Sequence, residues 1–145
     1  MALKLSAYSD YSLRVLMHAV LRRPGRVTVD EVAATYGISR HHLVKIVHDL
    51  GRSGYLETRQ GTGGGFTLAM PAEEIVLGEI VRQGEETVTV IDCLDKRGCA
   101  CRLMPACRLK GVLDDAAKAF FSVLDSYTLA DLIERPARMR AVLGL

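Results

Sequence analysis

Residues 28–50 read TVDEVAATYGISRHHLVKIVHDL, and this stretch decides the fold. Thr28-Val-Asp-Glu31 is a capping-box pattern that opens a short helix, VDEVAATY, and Gly37 closes it. Ser39 is expected to cap a second helix, RHHLVKIVHDLGRSG over residues 40–54, in which Leu43, Ile46, Val47 and Leu50 recur at helical spacing. A short helix, a turn containing glycine and a second helix form the helix-turn-helix pattern.

Outward from this unit the chain stays mostly helical. Residues 9–22 read as a helix with Leu13, Leu16, Met17, Val20 and Leu21 on one side, Ser9 as N-cap and Pro24-Gly25 as its stop. After the second helix, Tyr55–Arg59 alternates as a strand, Gly61-Thr-Gly-Gly-Gly65 forms a tip, and Phe66–Met70 returns. A hairpin in this place is a wing. Pro71 starts a linker, and Leu77–Gln83 is a further short helix. From Ala106 to Leu124 a long helix of about 28 Å is expected. Its apolar residues, among them Leu109, Val112, Leu113, Phe120, Phe121, Val123 and Leu124, cover an arc of roughly 180°. That is wider than one small domain needs, so one flank is expected to face a second copy in a two-fold dimer. The expected fold is mainly α: a winged helix-turn-helix with a two-stranded wing and a long C-terminal dimerisation helix. Residues 1–83 would form the DNA-binding domain, 84–108 a cysteine-rich loop, and 109–145 the dimerisation helix and C-terminal segment.

Composition narrows the class. At 145 residues and 49% apolar content the chain suits one compact domain plus a dimerisation element. It has neither an apolar run long enough for a membrane span nor a signal-peptide core, because Lys4 and Asp10 interrupt its start. A cytoplasmic location with reduced thiols is expected. Residues 1–70 carry nine Lys and Arg against five Asp and Glu, and all four His, whereas residues 71–145 carry ten against twelve. A basic N-terminal half suits phosphates.

The DNA-reading surface follows from the motif. A recognition helix presents its N-terminal turns to the major groove, and here these hold Ser39, Arg40, His41, His42 and Lys45. Arginine forks onto guanine, and lysine meets guanine or phosphate. Thr28 at the start of the preceding helix, Arg59 beside the wing, and Gly63 and Gly64 at its tip complete the expected DNA-binding set. The GTGGG tip lacks the Lys-Ser/Thr ending of a nucleotide-binding P-loop and joins two strands rather than a strand and a helix.

All four cysteines fall between residues 93 and 107: Cys93-x5-Cys99-x1-Cys101-x5-Cys107. A structural zinc site prefers pairs two to four residues apart, and no such pair occurs. Iron–sulfur clusters accept looser spacing, since each thiolate takes one iron at a separate corner. Lys96, Arg97, Arg102, Arg108 and Lys110 would offset the negative charge of a thiolate-held cluster. Spacing alone favours iron–sulfur and leaves zinc, a disulfide switch and inert thiols open.

Taken together, Tyr8-Ser-Asp-Tyr-Ser-Leu-Arg14, Ile38-Ser-Arg-His-His-Leu-Val-Lys45, Arg59-Gln-Gly-Thr-Gly-Gly-Gly65 and Cys101-Arg-Leu-Met-Pro-Ala-Cys107-Arg-Leu-Lys110 resemble the iron–sulfur winged-helix repressors, most closely the nitric-oxide-sensing branch of that family. The resemblance spans nearly the whole chain. It implies a homodimer that binds double-stranded operator DNA with its cluster intact and leaves it when nitric oxide attacks the cluster. It implies Cys93, Cys101 and Cys107 as metal ligands, with Cys99 as a departure and the alternative to Cys101. It also implies Asp10, from either subunit, as the fourth ligand. A carboxylate is a weak ligand to a soft centre and is readily displaced. The competing role for Asp10 is that of a first-turn acid facing the helix dipole. The 4Fe-4S form is preferred to 2Fe-2S.

Other readings remain beside this one: a regulator of the same fold that responds to iron or cluster status, a thiol–disulfide switch, and a zinc-stapled adaptor. No Cys-x-x-Cys motif supports the switch. No paired carboxylates in a cleft, nucleophile elbow or cofactor fingerprint points to an enzyme. His18, set among Leu16, Met17 and Val20, reads as a core histidine, and His48 as a surface or phosphate-facing residue.

Overall fold

The computed structural model describes residues 4–85 and 101–145. Its first helix, α1, runs Ala7–Leu21. Ser6, not Ser9, caps it, and the Ser6 hydroxyl accepts from the Ser9 N–H at 3.2 Å. Ser9 lies inside the first turn, fully buried. Both serines precede the same apolar run, so local pattern does not separate them. Packing does: Glu85, far along the chain, accepts a hydrogen bond from the Ser9 hydroxyl.

The central motif forms where the pattern places it. Helix α2 spans Val29–Tyr36, Gly37 follows in the left-handed region at φ 64°, and α3 spans Arg40–Arg52. The Thr28 hydroxyl accepts from the Glu31 N–H at 3.1 Å. The reciprocal half of the capping box is not made, because the Glu31 carboxylate turns to His18 Nε2 at 3.0 Å and Arg22 Nε at 2.9 Å. Ser39 holds the N-cap position of α3 but makes no side-chain cap bond. Leu43, Ile46, Val47 and Leu50 pack with Val15, Leu16 and Ala19 of α1 and Val32 of α2 in one core.

Strands β1, Leu56–Arg59, and β2, Gly65–Leu68, pair antiparallel from Leu56↔Leu68 to Arg59↔Gly65. The wing has an additional partner: Val27 and Phe66 exchange backbone hydrogen bonds at 2.9 and 2.8 Å. This fastens the hairpin to the connection before α2 and places the Phe66 ring in the core.

Helix α4, Leu77–Gly84, carries the long helix α5, Arg108–Asp125. Arg82 forks onto the Asp125 carboxylate through two bonds of 2.7 Å, and its guanidinium lies 4.4 Å from the Phe121 ring centroid. The apolar arc of α5 divides into two flanks. Leu113, Ala117, Phe121 and Leu124 are half-buried. Leu109, Val112, Phe120 and Val123 stay 59, 52, 40 and 58% exposed, too open for a flank packed within this chain. A last helix, α6, Pro136–Leu143, escapes the sequence pattern. It is tied to the end of α1 by Arg140 Nε, which donates to the Leu21 carbonyl at 2.8 Å. No helix among the described residues is long and apolar enough to cross a membrane. Cys93 and Cys99 lie outside the described residues.

His18 is fully buried, as a core histidine should be, and its edge meets the Tyr36 ring. Burial pushes the Glu31 carboxyl up, but hydrogen bonds from His18 and Arg22 outweigh it and hold the carboxyl below its ordinary value of 4.5. A carboxylate depressed on folding stabilises the native state above its unfolded pKa, and that contribution is lost as pH falls through the folded value. Thermal midpoints followed by circular dichroism should therefore drop more steeply for the wild type than for Glu31→Gln below a pH of about 4.5. Parallel profiles would count against the assignment.

Candidate nucleic-acid interface and thiol site

Helix α3 separates its residues by face. Leu43, Ile46, Val47 and Leu50 turn inward, while Ser39, Arg40, His41, His42 and Lys45 are exposed around its first two turns. Each of the last four has a neighbour that orients it. Arg40 Nε bonds Asp30 of α2 at 2.8 Å. The His42 ring lies 6.1 Å from that of His41 and 6.3 Å from that of Tyr11. Lys45 Nζ stands 5.8 Å over the Tyr8 ring. The exposed pair Arg40–Asp30 contributes little stability, but it keeps the guanidinium of the recognition helix beside the α2 N-terminus, where Thr28 is also exposed. His48 is exposed further along α3.

Arg59 ends β1 opposite Gly65 and is exposed. At two positions the tip it adjoins has no room for a side chain. Gly65 has φ 129°, and a Cβ there would collide with the Val27 carbonyl. A Cβ on Gly64 would strike the Arg59 carbonyl and come within 2.7 Å of the Gly61 carbonyl. Gly63 is exposed. Bare backbone at this tip can approach a phosphate or a groove wall closely.

Two of the four thiols fall in the described residues. Cys101 is exposed and Cys107 half-buried. Between them the chain curls through successive tight turns, Met104 N–H to the Cys101 carbonyl at 3.2 Å and Ala106 N–H to the Leu103 carbonyl at 2.9 Å. Cys107 then occupies the N-cap position of α5 without a side-chain cap bond. The free N–H groups of a helix start favour negative charge beside them, and Arg108 and Lys110 follow on the same helix. Lys110 Nζ lies 3.9 Å from the Met104 sulfur. The donor type thus fits a thiolate-held iron–sulfur group at its C-terminal edge. Among the described residues no three His, Cys, Asp or Glu side chains gather into a complete metal site. Asp10 lies in the first turn of α1, where it pairs with Arg14 Nε at 3.1 Å. In this arrangement it occupies the dipole-facing position of a first-turn acid, and binding a metal would require it to exchange its guanidinium partner.

Three further residues at this surface, Val44, Tyr8 and Tyr11, are given no contact role by the sequence. Val44 is 43% exposed on α3, an apolar residue off the buried pattern and suited to a thymine methyl. Its departure from the 3.6-residue rhythm is the available signal. Tyr8 and Tyr11 of α1 line a small hollow against His41, His42 and Lys45. The Tyr8 hydroxyl donates to Asp49 Oδ2 at 2.7 Å, and burial together with that carboxylate raises its pKa above the usual tyrosine range. Burial raises the Glu85 carboxyl, but bonds from Ser9 and Ser6 outweigh it and hold the carboxyl below its ordinary value.

Residues 5–135 match the family model Rrf2, described as an iron-dependent transcriptional regulator. The chain is 44% identical over 133 residues to the HTH-type transcriptional regulator NsrR of Bacillus subtilis (strain 168), covering 91% of each chain. It is 44% identical over 142 residues to the regulator of the same name from Geobacillus kaustophilus, covering 97% of each. Among solved structures, T. potens IscR superposes with a TM-score of 0.70 at 26% identity, covering 92% of this chain and 88% of that one.

Proposed function

The chain belongs to the Rrf2 family of transcriptional regulators, and from that premise we propose that it is a cytoplasmic repressor that grips operator DNA as a homodimer while it holds an iron–sulfur cluster and lets go when nitric oxide damages that cluster. The observation that carries the DNA-binding half is the outward set Ser39, Arg40, His41, His42 and Lys45 on α3 beside a wing with a glycine-rich tip. Arg40 and Lys45 would meet base edges and phosphates, His41 and His42 would add polar edges, and Arg59 would anchor the wing. The open flank of α5, with Leu109, Val112, Phe120 and Val123, supports the homodimer. Residues 1–83 would act as the reading unit, 84–108 as the cluster loop and 109–145 as the dimer arm.

Cys93, Cys101 and Cys107 would hold a cluster of the 4Fe-4S type, with Asp10 at the fourth position. When bound, the cluster supplies the site at which nitric oxide reacts. The chain's own residues do the rest. Arg102, Arg108 and Lys110 offset negative charge, and Arg14 stands ready to hold the Asp10 carboxylate when that residue is not a ligand.

The family description also favours a second reading, in which iron supply rather than nitric oxide is the signal. Both are tested with protein purified without oxygen and an operator selected by that protein from a random-sequence duplex pool. Iron and sulfide should be present and the solution brown. Band shifts with cluster-bearing protein should occur at roughly a tenth or less of the concentration that stripped protein needs. Brief nitric oxide treatment should abolish them, and an iron chelator over the same interval should not. The reverse order would favour the iron reading. Iron-free, freshly isolated protein that bound its operator tightly would overturn both.

A further inference from the structure

We propose that Tyr8 is a positioning residue in a relay that transmits the state of the cysteine-bearing stretch to the recognition helix within a single protomer: Glu85 is hydrogen-bonded to Ser6 and Ser9, Tyr8 shares their end of α1, and the Tyr8 hydroxyl is hydrogen-bonded to Asp49. The proposal rests on the cluster-dependent reading above and names the internal route by which it acts.

The relay begins where the described N-terminal part ends. Glu85 is the residue before segment 86–100, and Cys93 follows eight positions later. Its Oε1 accepts from the Ser6 N–H at 2.8 Å and from the Ser9 hydroxyl at 2.6 Å. The two backbones approach closely here, since a Cβ on Gly84 would strike the Ser9 hydroxyl and come 3.1 Å from Ser9 Cα. The first turn of α1 is therefore held by the end of α4, and a displacement of Glu85 reaches Ser6 and Ser9 directly.

Tyr8 lies on the same turn, with its ring also close to Gly84. Its hydroxyl donates to Asp49 at 2.7 Å, and its ring lies beneath Lys45. Asp49 and Lys45 are four residues apart, so Tyr8 grips one side of α3 at two levels. Lys45 is one of the exposed residues that would meet DNA. Asp10, the candidate fourth ligand, lies on the same turn of α1 as Ser9 and Tyr8. Both candidate routes into this turn, Glu85 from the cysteine side and Asp10 on α1 itself, thus converge on residues that hold α3. The alternative is that the packed core moves α3 as a rigid body without any need for the Tyr8 hydroxyl.

The experiment compares operator affinity with and without the cluster for wild type, Tyr8→Phe, Ser9→Ala and the double variant, using the pool-selected operator. Tyr8→Phe keeps the ring and removes only the hydroxyl. Its iron content should equal that of wild type, while the ratio of cluster-bearing to stripped affinity should shrink roughly five- to tenfold, the effect of one hydrogen bond to a charged acceptor. Ser9→Ala should shrink it similarly from the other end, and the double variant should lose little more than either alone, as members of one chain do. Amide exchange over residues 40–52 supplies a readout without DNA. It should quicken on cluster removal in wild type and change little in Tyr8→Phe. A ratio unchanged in Tyr8→Phe overturns the relay and leaves the proposed function standing. Equal affinities of loaded and stripped wild-type protein overturn the proposed function and the relay with it. Should Tyr8→Phe fail to fold, the Ser9→Ala ratio tests the relay in its place, and an unchanged value there overturns it equally.

Discussion

Replacing Cys107 with serine is expected to give a colourless protein whose operator affinity is at least about a hundredfold weaker, approaching its affinity for unrelated duplex. A serine hydroxyl is a poor ligand for a soft iron centre. The fold should survive, because Cys107 caps α5 without a side-chain bond and is only half-buried. Thermal midpoints should match those of wild type, which separates loss of the ligand from loss of structure. Cys101→Ser should behave alike. Cys99→Ser should keep its iron and its operator, since the five-residue spacer to Cys107 belongs to Cys101. Iron analysis and band shifts on the three variants distinguish the ligands: a brown Cys101→Ser beside a colourless Cys99→Ser would exchange the two assignments. A Cys107→Ser protein with full iron would remove the proposed ligand set.

Phe66→Ala is expected to cost about 3–5 kcal/mol of folding stability, a large share of the roughly 5–15 kcal/mol available to a domain. Phe66 is 1% exposed and among the largest fully buried side chains. It also sits where the wing is fastened to Val27, so the cavity opens under the hairpin rather than under a loop free to collapse. At roughly 3–4 °C per kcal/mol for a chain of this size, the midpoint should fall by about 9–20 °C. Val142→Ala is the control: Val142 is 78% exposed, and its loss should change stability by no more than about 0.5 kcal/mol. Circular dichroism melts of both variants, run side by side, test the contrast. Similar shifts in the two would refute the placement of Phe66 in the core.

The first helix and turn of the helix-turn-helix are legible to the residue because their signals are local, whereas α3 ends at Arg52, two residues short of the expected Gly54, and Ser39 makes no cap bond. Thr28 bonds three residues away, and Gly37 takes a backbone conformation that few other residues take readily. The start of α1 is misplaced by local pattern because Ser6 and Ser9 offer equal local chemistry and Glu85, seventy-six residues from Ser9, selects between them. The same kind of separation hides the loss of the reciprocal capping bond, as His18 and Arg22 claim Glu31 from another helix. Helix α6 has a weak apolar rhythm and begins at a proline, and one of its attachments is made by an arginine to a distant carbonyl. Of the candidate site, the outward residues of α3 follow from periodicity. Neither the contact of Tyr8 with Asp49, across forty-one residues, nor the pairing of Arg40 with Asp30 carries any pattern in the sequence. The thiols announce themselves by composition alone, and their spacing ranks the chemistries without choosing a geometry.

The crowded wing tip sets a limit on anyone wishing to retarget this protein. With carbonyls pressed against Gly64 and Gly65, side chains introduced at those two positions should disturb the hairpin. New sequence preferences must be sought on the open edge of α3, first at Val44, since exchanging Arg40 or Lys45 would also remove a contact with Asp30 or Tyr8.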